Sequence, residues 1–315
     1  MIVAITGATG FIGKKLVRKH LLLGDEVRFL TRNPKSINSF KGAHGFLGDL
    51  SIPSPTIDQF VDGVDVLYHL AAELNDESLM WQVNVVGTKN LLEAAEGKVG
   101  RWIQLSSTGV YGKRYDKVVT EESLLNPHNP YEVSKAEADR LVAEFWLEKG
   151  TPTCLLRPSN VYGSEMPNQS LFQLIKVINK GLFFFVGRKG AVVNYIHVDN
   201  VVEALILCSK AHLLEQPSVY IVSDYCSIEK MIEVISLSLG KPTPRLRFPK
   251  YAVEMLAMIC EKVPGIPLKR SRIDAITGKV IYSPKHICES LGYSNHVSIE
   301  EGIKELVATW KSSVK

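Results

Sequence analysis

The sequence predicts an α/β protein in which a doubly wound parallel sheet carries a smaller, mostly helical C-terminal lobe. Three observations lead there. Short β-branched runs alternate with amphipathic segments through the first 160 residues, and strands separated by helices pair in parallel through right-handed crossovers. A glycine-rich turn follows the first of those runs. After Arg157 the rhythm changes: Pro, Gly and Asn become frequent through Gly187, and from Ser227 the segments read mostly as helix with Pro-rich breaks.

The elements follow in order. Ile2–Thr6 is a buried strand, and Phe11–Leu23 has apolar residues at helical spacing up to Gly24. Val27–Leu30 and Val64–Leu70 read as strands, Val83–Ala95 as a helix, Trp102–Ser106 as a strand, Tyr131–Glu148 as a long helix and Thr153–Arg157 as a strand. Tyr195–Val198, the helix Val201–Lys210 and the strand Val219–Val222 return to sheet material. The expected division is residues 1–163 plus 191–223 in the sheet domain and 164–190 plus 224–315 in the second lobe.

Composition narrows the class. The chain has 315 residues, 45% hydrophobic and 22% charged, which suits a globular protein with a sizeable core and excludes disorder. Mean hydropathy is +0.04. No run approaches 18 apolar residues, and the N-terminus lacks the basic region of a signal peptide. A cytoplasmic protein without stable membrane insertion is expected. The net charge of +4 is spread out, so nucleic acid is not an expected partner. Five scattered cysteines with no CxxC argue against disulfides and against a metal site.

Gly7-Ala8-Thr9-Gly10-Phe11-Ile12-Gly13 lies between a strand and a helix. Glycines there permit a tight turn and close approach to a pyrophosphate, which the helix N-terminus attracts. Gly7, Gly10, Phe11, Ile12 and Gly13 are therefore candidate dinucleotide contacts. The second strand ends in Thr31-Arg32, without the acid that would bind a ribose 2′-hydroxyl. Arg32 suits a 2′-phosphate, so NADP is expected with NAD as the alternative; a plain surface arginine is the rival reading. Asp49 and Leu50 are placed to bracket the adenine. Leu70, Ala71 and Ala72 end a strand where the cofactor would cross.

Of the 11 tyrosines, Tyr131 alone has a lysine four residues on, Lys135. On a helix both project from one face. A phenol of pKa near ~10 is a poor base at neutral pH, and a nearby ammonium lowers that value. In Leu105-Ser106-Ser107-Thr108 a hydroxyl after a strand is placed to orient a substrate oxygen.

The ordered set GATGFIG, HLAA, NVVGTKNLLEA, LSSTGVYG, YEVSK, LLRPSNVYG and YIHVDNVVEAL resembles the extended short-chain dehydrogenase/reductase family, in its NAD-dependent epimerase/dehydratase branch. The resemblance implies a Rossmann-type sheet domain, a substrate-binding second lobe and NAD or NADP as cofactor. It implies Tyr131 as general acid/base, Lys135 as its partner and Ser107 as the catalytic hydroxyl, with Thr108 the weaker candidate. It places Pro158 beside the nicotinamide carboxamide, Asn160 on nucleotide-sugar phosphates and Asn84 near the substrate. A homodimer is left open.

Two departures matter. The dehydratases carry an Asp-Glu pair after the catalytic hydroxyl, where this chain has Thr108-Gly109. Many epimerases carry an acid at the second-strand tip, where this chain has Thr31-Arg32. The expected function is hydride transfer at a carbinol or keto carbon, C4 of a nucleotide sugar, as 4-epimerase or 4-ketoreductase. The apolar segment Tyr251–Val263, followed by Lys269, Arg270 and Arg272, suits a membrane surface, a lipid-like substrate or plain packing. With Leu291-Gly292-Tyr293 it also resembles the 3β-hydroxysteroid dehydrogenase-like branch, which keeps a sterol-like or other hydrophobic alcohol as the second substrate class. A non-catalytic NADP sensor is the rival of another kind. Arg270 and Arg272 are candidate diphosphate ligands. The aromatic run Gly181–Gly187 reads as buried packing, and His197 as a structural residue near the lobe junction.

Overall fold

The computed structural model describes residues 1–113, 117–211, 218–260 and 270–314. Of residues 256, 257, 259, 260, 270–272, 275 and 314 only the backbone is described.

The chain opens with β1 (Ile2–Thr6), α1 (Phe11–Leu22), β2 (Glu26–Thr31), β3 (Ala43–Leu47), α2 (Pro55–Val61), β4 (Val66–His69) and α3 (Glu77–Trp81). Gln82–Val86 then forms one π-helical stretch that runs into α4 (Gly87–Ala95). The helix expected over Val83–Ala95 therefore begins with a wider turn. There follow β5 (Trp102–Leu105), β6 (Val118–Val119), α5 (Pro130–Lys149), β7 (Thr153–Pro158), β8 (Asn160–Tyr162), α6 (Ser170–Asn179), β9 (Phe185–Val186), β10 (Val192–His197), α7 (Val198–Lys210) and β11 (Ser218–Val222). The C-terminal part holds β12 (Asp224–Ser227), α8 (Ile228–Leu239), β13 (Arg247–Phe248), α9 (Lys250–Cys260), α10 (Arg270–Thr277), β14 (Ile281–Tyr282), α11 (Lys285–Leu291) and α12 (Ile299–Val314).

Seven strands form one sheet in the order β11-β7-β5-β4-β1-β2-β3, and every pairing is parallel. The expected doubly wound sheet is present. Side chains alternate across it. Val3 and Ile5 pack with Leu16, Val17 and Leu205 on one face, while Ala4 faces Phe60, Leu91 and Val142 on the other. Both faces being covered explains why these strands read as continuous apolar runs. Ile287 and Tyr293, from the C-terminal part, join the first of these cores.

The strand order reverses between β1 and β4, where open α/β sheets bind ligands beyond their C-terminal strand ends. The turns after β1, β2, β4, β5 and β7 all open on that edge. A second core, built from α6, α8, α12 and the three-stranded β12-β10-β8 sheet, packs beside it. Tyr162 and Ile175 lie fully inside it.

Helix α5 carries the Tyr/Lys pair and has strong local signals. The Asn129 side chain accepts the Glu132 N–H at 2.9 Å, and the Glu132 carboxylate accepts the His128 N–H. Pro130 occupies the first turn, where its missing N–H costs nothing. Gly150 closes the helix in the left-handed conformation, φ +69°.

Candidate active site

Gly7 turns the chain after β1 with φ +67°. A Cβ there would lie 2.7 Å from the Ala71 nitrogen, so the turn is pressed against the end of β4. A Cβ on Gly13 would sit on the Gly7 carbonyl oxygen. Gly10 donates its N–H to that carbonyl at 3.0 Å, and no side chain caps α1. The first N–H groups of α1 remain available to an anion, reinforced by the helix dipole. This cradle fits the diphosphate of a dinucleotide.

It opens into a cavity of about 1370 Å³. Gly7, Gly10, Phe11, Ile12, Gly13, Arg32, Asp49, Leu50, Leu70, Ala71, Ala72 and Pro158 all line it, as do Ser107, Tyr131, Lys135 and Asn160. Six separate turns of the sheet edge, after β1, β2, β3, β4, β5 and β7, thus meet at one place. Arg32 is exposed at the tip of β2. Its charged neighbour is Glu73, whose carboxyl is held below its usual range by the Asn75 and Asp76 backbone N–H groups, with Arg32 adding a smaller pull. The Asp49 carboxylate accepts both the N–H and the hydroxyl of Ser51, at 2.9 and 2.7 Å.

A buried polar chain braces the end of β4. The Thr6 hydroxyl oxygen accepts the Leu70 and Ala71 N–H groups, at 3.1 and 3.2 Å, so its proton goes to His69 Nδ1 at 2.7 Å. His69 Nε2–H then donates to Thr88 Oγ1, which donates to the Asn84 carbonyl at 2.6 Å. That chain assigns the tautomer. Burial pushes the His69 pKa down to about 3, with Lys135 a lesser cause.

Lys135 is itself buried and donates to the Leu105 carbonyl at 2.6 Å. Burial lowers its pKa, and Asp139 opposes that. Burial raises the Tyr131 phenol, while its hydrogen bond with Ser107 pulls it down. The Ser107 oxygen also accepts the Gly109 N–H at 3.0 Å.

Behind these groups lies a network that sequence reasoning missed. Asp139, one turn beyond Lys135, accepts the Ser106 hydroxyl at 2.7 Å and both Nε and Nη2 of Arg157, at 3.1 and 3.0 Å. Arg157 also donates to the Tyr111 hydroxyl at 2.9 Å. One carboxylate therefore ties α5 to the residue before Ser107 and the residue before Pro158. The signal available was the charged pair itself: an acid on the inner face of α5 and an arginine closing a buried strand.

Two expected substrate contacts stand elsewhere. Asn84 is buried behind the wall, outside the cavity lining. Its side-chain Oδ1 accepts the Glu73 N–H at 2.7 Å, and its side-chain amide donates to the Glu73 carbonyl and to the Ser134 hydroxyl, at 3.1 and 3.0 Å. No polar group of its side chain is left for a ligand, because the π-helical turn faces it into α5. Thr108 is buried in the 3-10 turn Thr108–Tyr111 and is also absent from the lining. Asn160 does reach the cavity, with its amide on the Asn194 carbonyl at 3.1 Å. The side chains of Arg270 and Arg272 lie outside the described residues.

The other half of the cavity is mostly apolar: Met166, Leu171, Leu174 and Val177 from α6 and its approach, with Tyr195, Ile273 and Ile276. The aromatic run is divided. Phe185 is buried in the second core, whereas Phe184 lines the cavity and meets Phe248 edge-on at 5.1 Å. His197 caps α7 and packs on Tyr162 at 5.4 Å, a structural place. No metal-binding cluster occurs among the described residues, and no described helix is long and apolar enough to cross a membrane.

A glycine cradle at the switch point and a Ser/Tyr/Lys set in the same cavity define an enzyme of the nicotinamide-dinucleotide-dependent kind. Residues 3–222 match the NAD dependent epimerase/dehydratase family, and the chain belongs to it. It is similar to UDP-glucose 4-epimerase of Vibrio cholerae, 26% identical over 96% of this chain and 93% of that one. It is also similar to 3beta-hydroxysteroid-dehydrogenase/decarboxylase isoform 1 of Arabidopsis thaliana, 26% identical over 96% of this chain and 78% of that one. The crystal structure of UDP-glucuronic acid 4-epimerase from Bacillus cereus in complex with NAD shares the fold, with TM-score 0.77 and 21% identity over the whole of both chains.

Proposed function

We propose that this enzyme transfers hydride at C4 of a nucleotide-linked sugar, as a 4-epimerase or 4-ketoreductase, with NADP preferred. The observation that carries the reading is the meeting of Ser107, Tyr131 and Lys135 with the Gly7–Gly13 cradle in one cavity. The similarity to the Vibrio cholerae epimerase supports the substrate class. Residues 1–163 plus 191–223 hold the cofactor in this reading, and 164–190 plus 224–315 shape the substrate side. The protein acts in the cytoplasm.

A bound nicotinamide dinucleotide supplies the hydride acceptor or donor. Gly7, Gly10 and Gly13 would let the backbone N–H groups meet its diphosphate, and Arg32 would hold a 2′-phosphate. Ser107 holds the substrate oxygen by a hydrogen bond. As a carbinol is oxidised, Tyr131 takes its hydroxyl proton; as a ketone is reduced, Tyr131 returns one to the oxygen. Lys135, fixed on the Leu105 carbonyl, keeps a positive charge under the site and has further N–H groups for the ribose. Pro158 shapes the nicotinamide end. Asn160 reaches the sugar nucleotide. No acidic pair follows Ser107, so elimination of water has no general acid.

Mass spectrometry of ligands that co-purify, followed by binding of UDP, dTDP and GDP, tests the substrate class. A 4-keto sugar nucleotide should oxidise NADPH if the enzyme is a reductase. An epimerase should interconvert two sugars without net cofactor consumption. No dehydration product should form in either case.

The apolar walls from α6 and α10 favour a second reading, oxidation or reduction of a sterol-like or other hydrophobic alcohol by the same residues. The similarity to the Arabidopsis thaliana protein supports it. Turnover of such an alcohol, with no binding of any nucleoside diphosphate, would replace the first reading by the second.

A further inference from the structure

We infer that the outer face of β13 and α9, at the rim of the cavity, docks on an anionic phospholipid bilayer. Tyr251, Met255 and Met258 recur at i, i+4 and i+7 on α9 and are 69%, 59% and 46% exposed. Val253, on the opposite side of that helix, packs against Val186 and Ile273. The apolar stripe therefore faces outward while the helix is anchored inward. Leu246 and Phe248, two apart about β13, are exposed as well, and so is Leu182. Phe248 packs on Phe184, and both Phe184 and Leu182 line the cavity. The exposed apolar surface is thus continuous with the opening of the site.

Charge selects the partner. Segments 176–189 and 241–258, which carry this surface, hold eight basic residues and one acid, Glu254, although the chain as a whole has 37 basic and 33 acidic residues. Arg247 and Lys250 are paired, with Glu229 and Asp274. Lys176, Lys180, Arg188, Lys189, Lys241 and Arg245 are exposed, and none forms an ion pair among the described residues. Exposed apolar side chains in a field of free cations are what an interfacial element presents to anionic lipid. A second copy of this chain would bring the same cations together and repel itself. The element lies on the surface of the bilayer and does not cross it. The inference holds for either substrate class.

Sedimentation of the whole protein with phosphatidylglycerol/phosphatidylcholine vesicles tests it, beside pure phosphatidylcholine vesicles and a vesicle-free spin. Binding to the anionic vesicles should exceed binding to the neutral ones and should fall with salt. Met255→Glu/Met258→Glu and, separately, Lys180→Glu/Lys189→Glu/Arg245→Glu should each lower partition at least about tenfold. All these positions are exposed, and an unchanged thermal melt checks folding. No pelleting beyond the vesicle-free spin would overturn the proposal, as would variants that pellet like the parent. So would a Met255→Glu/Met258→Glu variant that turns an oligomer into a monomer while vesicle binding stays absent, since a second copy would then be the occupant.

Discussion

The two ends of the cavity are built by different physics. At the sheet edge, buried polar side chains are tied into networks: Thr6, His69 and Thr88 form one chain of hydrogen bonds, and one oxygen of Asp139 gathers Ser106 and Arg157. Such networks fix positions to fractions of an ångström, because a broken bond would leave a buried polar group unpaired. At the α6 end most of the lining is apolar, with Leu171, Leu174 and Val177 beside Ser170, Gln173 and Lys176, and apolar walls accept any apolar shape of suitable size. In the proposed reading the first end specifies a reaction and the second a substrate. The contrast explains how one catalytic set is compatible with a sugar nucleotide and with a hydrophobic alcohol.

The largest expected effect breaks the sheet-edge end. Tyr131→Phe should lower kcat by about 10²–10⁴-fold while cofactor affinity, read by fluorescence titration, stays near that of the parent. A variant with near-parent turnover when chemistry is limiting would remove Tyr131 from its role.

Next comes the rim of the same end. Arg32→Ala should erase a preference for NADP over NAD of roughly ten- to a hundredfold, the worth of about 1.5–3 kcal/mol of charge-assisted hydrogen bonding. Equal affinities in the parent would mean that Arg32 serves Glu73 or solvent instead.

The bracing chain gives a pH dependence. In the native state His69 takes a proton only near pH 3, whereas in the unfolded chain it does so near ~6.5. Its contribution is fully present above about pH 6.5 and is lost as the pH falls toward 3. The loss at pH 5 is about 2 kcal/mol, read as a lower urea midpoint. His20 and His197, also depressed chiefly by burial, act in the same direction. A His69→Gln variant should show a shallower slope between pH 7 and pH 5; an unchanged slope would clear His69.

The smallest effect sharpens the apolar end. Leu174→Asn should raise KM by about tenfold and leave kcat within about twofold, because the residue touches the wall and not the reacting atoms. An equal fall in kcat would mean that the apolar end also aligns the reacting carbon.

The sequence by itself determined the sheet, the cradle and the Ser/Tyr/Lys set. β-branched runs separated by amphipathic helical segments pair as parallel strands, and Gly13 occupies a place where a Cβ would strike the backbone of Gly7 and Ala8. Those constraints are local, so they are written in neighbouring residues. Tertiary structure decided the rest. Asn84 sits in a motif near the site, yet the π-helical turn spends its amide on Glu73 and Ser134. Asp139 carried no motif and became the hub, because β5, β7 and α5 converge on it from sequence positions 106, 139 and 157. The apolar wall joins α6 to Ile273 and Ile276 about a hundred residues later. Apolar residues on a helix show a buried face in the sequence, but which partner or ligand that face meets is set by chain packing at long range.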